Sequence, residues 1–144
     1  MYRETQESIN KLEVPKGMEL TINIDAFNPK SIVGRIKEDH ENTLLKYKRA
    51  RQKVLNDGYD ALFTVEHDMI IPKDALVKML DTKADVVYGL YYFRHVKPVL
   101  NALRAVAVDW PDMSMSFFPE YIKKGKRQGW IECSGAGMGC TLIY

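Results

Sequence analysis

The sequence predicts an α/β domain in which helices cover the faces of a β-sheet. Helical patterns alternate with short β-rich runs in the first half of the chain, whereas the second half is richer in strands and loops. One apolar run, residues 59–65, ends abruptly in the carboxylates of Glu66 and Asp68. The 144 residues, 46% hydrophobic and 28% charged, fit a single domain over 1–144 with a sizeable core.

The composition argues against several classes of protein. A net charge of +2 tolerates an anionic small ligand, but it is too small to indicate a nucleic-acid partner. No run of about 18 apolar residues is present, so no integral membrane segment is expected. Cys133 and Cys140 are too few for a disulfide framework or a zinc site, and the polar N-terminus does not resemble a signal peptide. A cytoplasmic location is therefore expected.

The first two elements are a short helix and a strand. Residues 4–12 show a helical pattern, which ends at the Pro-containing segment 14–17. Residues 19–24 then alternate between polar and apolar side chains, with one face formed by Leu20, Ile22 and Ile24. This alternation predicts a strand that ends at Asp25.

Residues 42–56 carry the clearest helical pattern. Asn42 or Thr43 is expected to cap the helix, and Gly58 is expected to end it. The buried stripe is predicted to contain Leu44, Leu45, Ala50, Val54 and Leu55. The other face carries the basic side chains of Lys46, Lys48, Arg49, Arg51 and Lys53.

The remaining elements follow in alternation. A strand over 60–65 precedes a helix over 73–80, with Leu76, Met79 and Leu80 directed inward. A second β-rich run covers 84–88, and 90–94 continues in extended form. Residues 99–108 are predicted to form a strand or a strand pair. The glycine-rich segment 135–139 is expected to be a hinge, and 140–144 the last strand.

Glu66 and Asp68 are the best candidates for a functional site. Side chains at positions i and i+2 of a strand share one face, so both carboxylates are expected to converge while His67 faces the other way. Ligands of α/β sheets bind at the carboxyl ends of strands. Two oxygen donors suit Mg²⁺ or Mn²⁺, and these ions usually arrive with a phosphate-bearing substrate.

Several segments carry a resemblance to a known family. Ala50-Arg51-Gln52 leads into the strand that ends at Glu66-His67-Asp68. The segment 86–92 follows, and Gly137-Met138-Gly139 precedes the last strand. Together with Tyr2-Arg3-Glu4, these segments resemble, in order and spacing, the GT-A glycosyltransferases of the family 2 group, which use nucleotide-diphospho-sugars. Glu66-His67-Asp68 stands in for the Asp-x-Asp motif of that family.

The resemblance implies a three-layer α/β/α fold with a mixed sheet, incomplete in this chain. It implies that Asp68 and Glu66 bind Mn²⁺ or Mg²⁺, and that a sugar passes from a nucleoside-diphosphate donor to a hydroxyl acceptor. Asp25, Arg51 and Arg94 are further donor-binding candidates. Asp25 is alternatively a turn residue and Arg51 part of a solvated helix face. The resemblance identifies no catalytic base in this chain.

Two departures from the family pattern lead to further expectations. The first strand of the family and its catalytic carboxylate beyond the Gly-x-Gly segment are both missing, so the chain is expected to be truncated at both ends and weakly active by itself. An exposed sheet edge would favour a homo-oligomer. Two other functions remain open: a non-catalytic nucleotide-sugar-binding module of the same fold, and a nucleotidyltransferase.

Overall fold

The computed structural model describes residues 2–30, 36–93, 99–100, 102–103, 127, 129–133 and 135–144. Three helices occur in these ranges: α1 (Arg3–Ile9), α2 (Ile36–Asp57) and α3 (Ala75–Asp81). The strands described are β1 (Leu62–Val65), β2 (Val86–Tyr88), β3 (Tyr92–Phe93), β4 (Val99–Leu100), β5 (Ala102–Leu103), β6 (Gly135–Ala136) and β7 (Cys140–Ile143). This content confirms the predicted α/β class.

The central sheet has the strand order β1-β7-β2. Strand β7 is antiparallel to both neighbours, with Val65 opposite Cys140 and Val86 opposite Ile143. Strands β1 and β2 therefore run in the same direction on either side of β7. Two smaller antiparallel pairs, β3–β4 and β5–β6, are also present. The last strand in the described sequence is thus the middle strand of the main sheet.

One face of this sheet forms the hydrophobic core. Leu142 of β7 is 1% exposed and packs with the buried Leu76 and Met79 of α3. Phe63 of β1 and Val87 of β2 pack against the same cluster, as do Ile9, Leu12, Leu20 and Val65. Burying a leucine side chain contributes about 1.5–3 kcal/mol. Helices α1 and α3 therefore cover this face.

The opposite face lies against α2. Thr64 and Thr141 are paired across β1 and β7, and their side chains alternate with those of the core face. The Tyr47 hydroxyl of α2 donates a hydrogen bond to the carbonyl oxygen of Met138. The Thr64 hydroxyl also donates to this oxygen. Helix α2 contacts β1 directly, so helices contact both faces of the described sheet.

The predicted cap of α2 is wrong. The helix begins before Asn42, at Ile36, and Asn42 is 2% exposed inside it. The side chain of Asn42 accepts a hydrogen bond from the Lys30 main-chain amide and donates one to the Lys30 carbonyl, both at 3.0 Å. Asn42 therefore hydrogen-bonds to the main chain before the helix, at Lys30, and does not cap the helix. The predicted stop is confirmed, because Gly58 has a φ of 73° and its amide donates to Val54.

The predicted buried stripe of α2 is partly wrong. Leu44 and Leu55 are more than half exposed, at 54% and 59%. They share a solvent-facing stripe with Lys48 and Arg51, because these positions recur at helical spacing. The residues predicted for the stripe that are partly buried are Leu45, Ala50 and Val54.

The predicted strand over 19–24 is absent. These described residues have no strand assignment, and Ile22 and Ile24 are 50% and 55% exposed. A strand requires hydrogen bonds from a neighbouring strand, and none of the described strands pairs with this segment. Asp25 consequently does not end a strand. It lies in a turn in which its carboxylate accepts a hydrogen bond from the Phe27 amide at 3.1 Å.

The other predicted elements are largely confirmed. Strands β1, β2 and β7 and helix α3 all lie within two residues of their expected limits, and α1 ends three residues early. The extended segment 90–94 contains β3, and β4 and β5 fall in the predicted run 99–108, whose residues 104–108 lie outside the described ranges. The expected hinge over 135–139 is wrong at its start, because Gly135 and Ala136 form β6 and pair with β5, and residues 138–139 form a turn. In the described parts of the chain, no helix has the length and apolar character needed to cross a bilayer.

Candidate functional site

An acidic turn, residues 66–69, follows β1 directly. The Glu66 amide donates to the Gly139 carbonyl at 2.7 Å, which extends the pairing with the start of β7 by one step. The Met69 amide then donates back to the Glu66 carbonyl at 3.2 Å and closes the turn. The expected position at the carboxyl end of a strand is confirmed. The expected strand geometry is wrong, because the chain turns at His67 and Asp68 and does not stay extended.

The two carboxylates of the acidic turn influence each other. Surrounding protein atoms partly desolvate the carboxyl group of Glu66 and raise its pKa, and the negative charge of Asp68 raises it further. His67 opposes this shift. Asp68 is half-buried. A bound divalent cation would reduce the electrostatic repulsion between these two neighbouring carboxylates.

The donor set of the acidic turn is small. In the ranges that the structure describes, no group of three or more His, Cys, Asp and Glu side chains is arranged to hold a metal ion. Mg²⁺ is commonly bound by one or two carboxylates, with waters and substrate phosphates completing its octahedral shell. Glu66 and Asp68 fit that pattern, in which the substrate supplies ligands that the protein lacks.

The N-terminal end of helix α1 contacts the acidic turn at His67. The carbonyl oxygen of His67 accepts hydrogen bonds from the Tyr2 amide and the Thr5 hydroxyl, both at 3.0 Å. The imidazole of His67 stacks on the Tyr2 ring, with centroids 5.7 Å apart and planes 20° apart. His67 therefore contacts α1.

Two tyrosines hold the turn at 138–139, which lies beside Glu66. The Tyr47 hydroxyl donates to the Met138 carbonyl at 3.2 Å. The Gly139 amide donates to the Tyr91 hydroxyl oxygen, also at 3.2 Å. The Glu66 amide donates to the carbonyl of the same glycine. Helix α2, the segment after β2 and the acidic turn therefore meet at the turn formed by Met138 and Gly139.

Tyr47 lies close enough to Glu66 for the carboxylate charge to affect the pKa of its phenol. Partial burial raises the pKa of the Tyr47 phenol, and the negative charge of Glu66 raises it further. A hydrogen bond with Thr64 opposes the shift. Tyr47 is thus a neutral hydrogen-bonding group at neutral pH, and it supplies a phenol beside the acidic turn.

Asp25 lies on a different side of α2. Its carboxylate pairs with the guanidinium of Arg49 at 2.7 Å, and Arg49 also contacts the carbonyl and the ring of Phe27. Burial opposes ionisation of Asp25, but hydrogen bonds from Arg49 and the Phe27 amide outweigh it and lower the pKa of Asp25. Arg49 is two positions from Tyr47, which turns it about 200° around the helix axis. The contacts of Asp25 and Tyr47 therefore lie on different helix faces.

The remaining predicted site residues have different outcomes. Arg51 is exposed on α2, one turn after Tyr47 but turned towards the solvent-facing stripe that contains Leu44 and Lys48. Arg94 lies outside the described residues. Tyr47, Tyr91 and Thr5 also contribute to the site, although they were not predicted as site residues. For Tyr47 a signal exists, because its spacing from Ala50 and Val54 places it on the sheet-facing side of α2.

Comparisons with protein-family models, with curated proteins and with solved structures found no match to this chain. The site must therefore be interpreted from its own chemistry.

Proposed function

We propose that this chain is a glycosyltransferase domain of the GT-A type. It binds a nucleoside-diphosphate sugar together with Mn²⁺ or Mg²⁺ and transfers the sugar to a hydroxyl acceptor. The observation that carries the proposal is the position of two acids, Glu66 and Asp68, in a turn at the carboxyl end of β1. Ligands of α/β sheets bind at such ends.

The chemistry of the donor assigns a role to each carboxylate. Breaking the bond between sugar and diphosphate leaves negative charge on the nucleoside diphosphate, and a bound divalent cation supplies Lewis-acid stabilisation of that charge. Asp68 is the direct ligand of the cation. Glu66 binds the donor ribose or holds a water of the cation. Both carboxylates must be ionised for these roles.

The arrangement of layers supports the same proposal. Helices α1 and α3 contribute to the core on one face of the β1-β7-β2 sheet, and α2 contacts the other face. A three-layer α/β/α domain has this arrangement. The proposal includes a homo-oligomer, because β1 and β2 are the outer strands of the described sheet and such edges favour pairing with another chain.

Isothermal titration with uridine and guanosine diphosphates, with and without Mn²⁺, tests donor binding. We expect Mn²⁺ to strengthen diphosphate binding to the unaltered chain. Asp68→Asn and Glu66→Gln should each remove about 1.5–3 kcal/mol of this metal-dependent affinity, which is roughly 10- to 150-fold. Asp60→Asn is the matched control, because Asp60 is an exposed acid just before β1. An unchanged Mn²⁺ effect in Asp68→Asn would refute the site.

A turnover measurement separates the enzyme from a binding module of the same fold. Release of free sugar or of nucleoside diphosphate from the donor is followed with Mn²⁺ present, with and without simple hydroxyl acceptors. Turnover that Asp68→Asn abolishes supports the transferase. Donor binding without turnover favours the non-catalytic module.

A further inference from the structure

We propose that Thr5 is a positioning residue for the acidic turn, holding Asp68 in the orientation that a divalent cation requires. The inference rests on the proposed function for the identity of the ligand. It assigns to α1 a role in the site that sequence and composition do not reveal, because Thr5 is 62 residues before His67.

The contact centres on a carbonyl oxygen that accepts two hydrogen bonds. The His67 oxygen accepts one hydrogen bond from the Thr5 hydroxyl and another from the Tyr2 amide, each at 3.0 Å. Thr5 is 1% exposed, so water does not compete for its hydroxyl. Two donors from one helix end restrict the direction of this carbonyl more than a single bond would.

The His67 carbonyl belongs to the peptide group that joins His67 to Asp68. Because a peptide group is planar, fixing the direction of its oxygen also fixes the direction of the Asp68 amide and α-carbon. The side chain of Asp68 therefore starts from a constrained position. Residues behind metal ligands commonly act in this way, and their loss weakens metal affinity about 10- to 100-fold.

A second contact of α1 supports the far end of the same segment. The Ser8 hydroxyl oxygen accepts from the Ile71 amide at 3.3 Å, and its proton is donated to the Thr5 carbonyl at 2.8 Å. Ser8 is 8% exposed. Thr5 and Ser8 are thus linked to each other, and they hold residues 67 and 71 on the two sides of Asp68.

The test compares three variants by their affinity for Mn²⁺ alone, measured by electron paramagnetic resonance of the free ion. Thr5→Val removes the hydroxyl and keeps the shape, and we expect about 10- to 100-fold weaker binding. Thr5→Ser restores the hydroxyl, and its affinity should stay within about threefold of the unaltered chain. Thr82→Val is the matched control, because the partly buried Thr82 hydroxyl donates a similar bond to Met79, at 2.8 Å, away from the acidic turn.

A merely structural role for Thr5 predicts a different result. In that case Thr5→Val and Thr82→Val would lower the melting temperature and leave Mn²⁺ affinity equally unaffected. This outcome would overturn the inference, as would failure of Thr5→Ser to restore affinity in a folded chain.

A second measurement does not depend on metal binding. The Met69 amide closes the acidic turn by donating to Glu66, so its hydrogen exchange in metal-free protein reports the order of the turn. We expect exchange about fivefold to tenfold faster in Thr5→Val and unchanged in Thr82→Val. If the unaltered chain binds no Mn²⁺, the proposed function fails. The Met69 exchange rate then decides by itself whether Thr5 orients the turn, and an unchanged rate refutes the inference.

Discussion

The Gly139 amide donates a hydrogen bond to the Tyr91 hydroxyl oxygen, and this contact leaves no room for a side chain on the glycine. A Cβ atom at position 139 would lie 2.8 Å from the Tyr91 oxygen and 2.9 Å from its ring carbon Cζ. Both distances are shorter than a van der Waals contact. The absence of a side chain at Gly139 therefore permits the turn beside Glu66 to approach Tyr91.

Gly139→Ala should therefore destabilise the fold by about 1–3 kcal/mol, the usual cost of overpacking. The measurement is the free energy of unfolding in urea. Tyr91→Ala supplies the control, because it removes the ring that the new methyl group would meet. In a double-mutant cycle, Gly139→Ala should be less costly in the Tyr91→Ala background. Equal costs in both backgrounds would show that the close approach is not the cause.

Thr141→Val should stabilise the chain by about 1 kcal/mol. Thr141 is 0% exposed in the middle strand, and its hydroxyl finds no hydrogen-bond partner in the part of the chain that the structure describes. Leaving such a group unsatisfied costs about 1–3 kcal/mol, and valine keeps the shape and the β-branch. Thr64→Val should instead cost about 0.5–1.5 kcal/mol, since the Thr64 hydroxyl donates to the Thr141 carbonyl. Thermal unfolding of both variants checks the opposite signs.

Glu66→Gln should stabilise the metal-free chain slightly at pH 7. Burial and the charge of Asp68 raise the pKa of Glu66 above its ordinary value of 4.5, so the folded state holds this proton more tightly than the unfolded state. Stability therefore falls as pH rises from 4.5 through the raised pKa. The gain in the variant should stay below about 1 kcal/mol, because solvent screens an exposed carboxylate. It should vanish below pH 4.

Asp25→Asn is the control variant, because its change in stability at pH 7 should have the opposite sign to that of Glu66→Gln. Because hydrogen bonds from Arg49 and the Phe27 amide overcome the effect of burial, the pKa of Asp25 lies below 3.8. Its stabilising effect is present above that value and is lost as pH falls through the lowered pKa. At pH 7 the variant should lose up to about 1 kcal/mol. Urea titrations from pH 3 to pH 8 measure the free energy of unfolding of both variants. The same pH dependence in the two variants would contradict the opposite pKa shifts of Glu66 and Asp25.

Arg51→Ala should weaken diphosphate binding by about 1.5–3 kcal/mol, if its guanidinium reaches the donor phosphates from the exposed side of α2. Lys48→Ala and Lys53→Ala should change the affinity little, and Lys53 already pairs with Asp57. None of the three should alter stability by more than about 0.5–1 kcal/mol. Equal, small losses of affinity in all three would make Arg51 part of a plain solvated face.

Helices and strands with their own periodicity were predictable from the sequence. The pattern over 42–56 indicates α2, the inward Leu76 and Met79 indicate α3, and the apolar runs before Glu66 and after Gly139 indicate β1 and β7. These features depend on the geometry of consecutive residues, which a local pattern records. The position of the acidic pair at a strand end follows for the same reason.

Features that depend on distant partners were not predictable. The alternation over 19–24 is typical of a strand, yet the described strands leave it unpaired. Asn42 looks like a helix cap, but it is buried and holds Lys30. Neither outcome is encoded by neighbouring residues, because each depends on which main-chain groups the fold brings within hydrogen-bond reach.

The sequence by itself determined that two acids follow an apolar strand near the middle of the chain. Only the tertiary structure decided that β7 separates β1 from β2, that Tyr47 lies beside Glu66, and that Thr5 holds the carbonyl before Asp68. The physical reason is that a local pattern sets the backbone conformation of one segment. The orientation of a site depends on hydrogen bonds between segments many tens of residues apart.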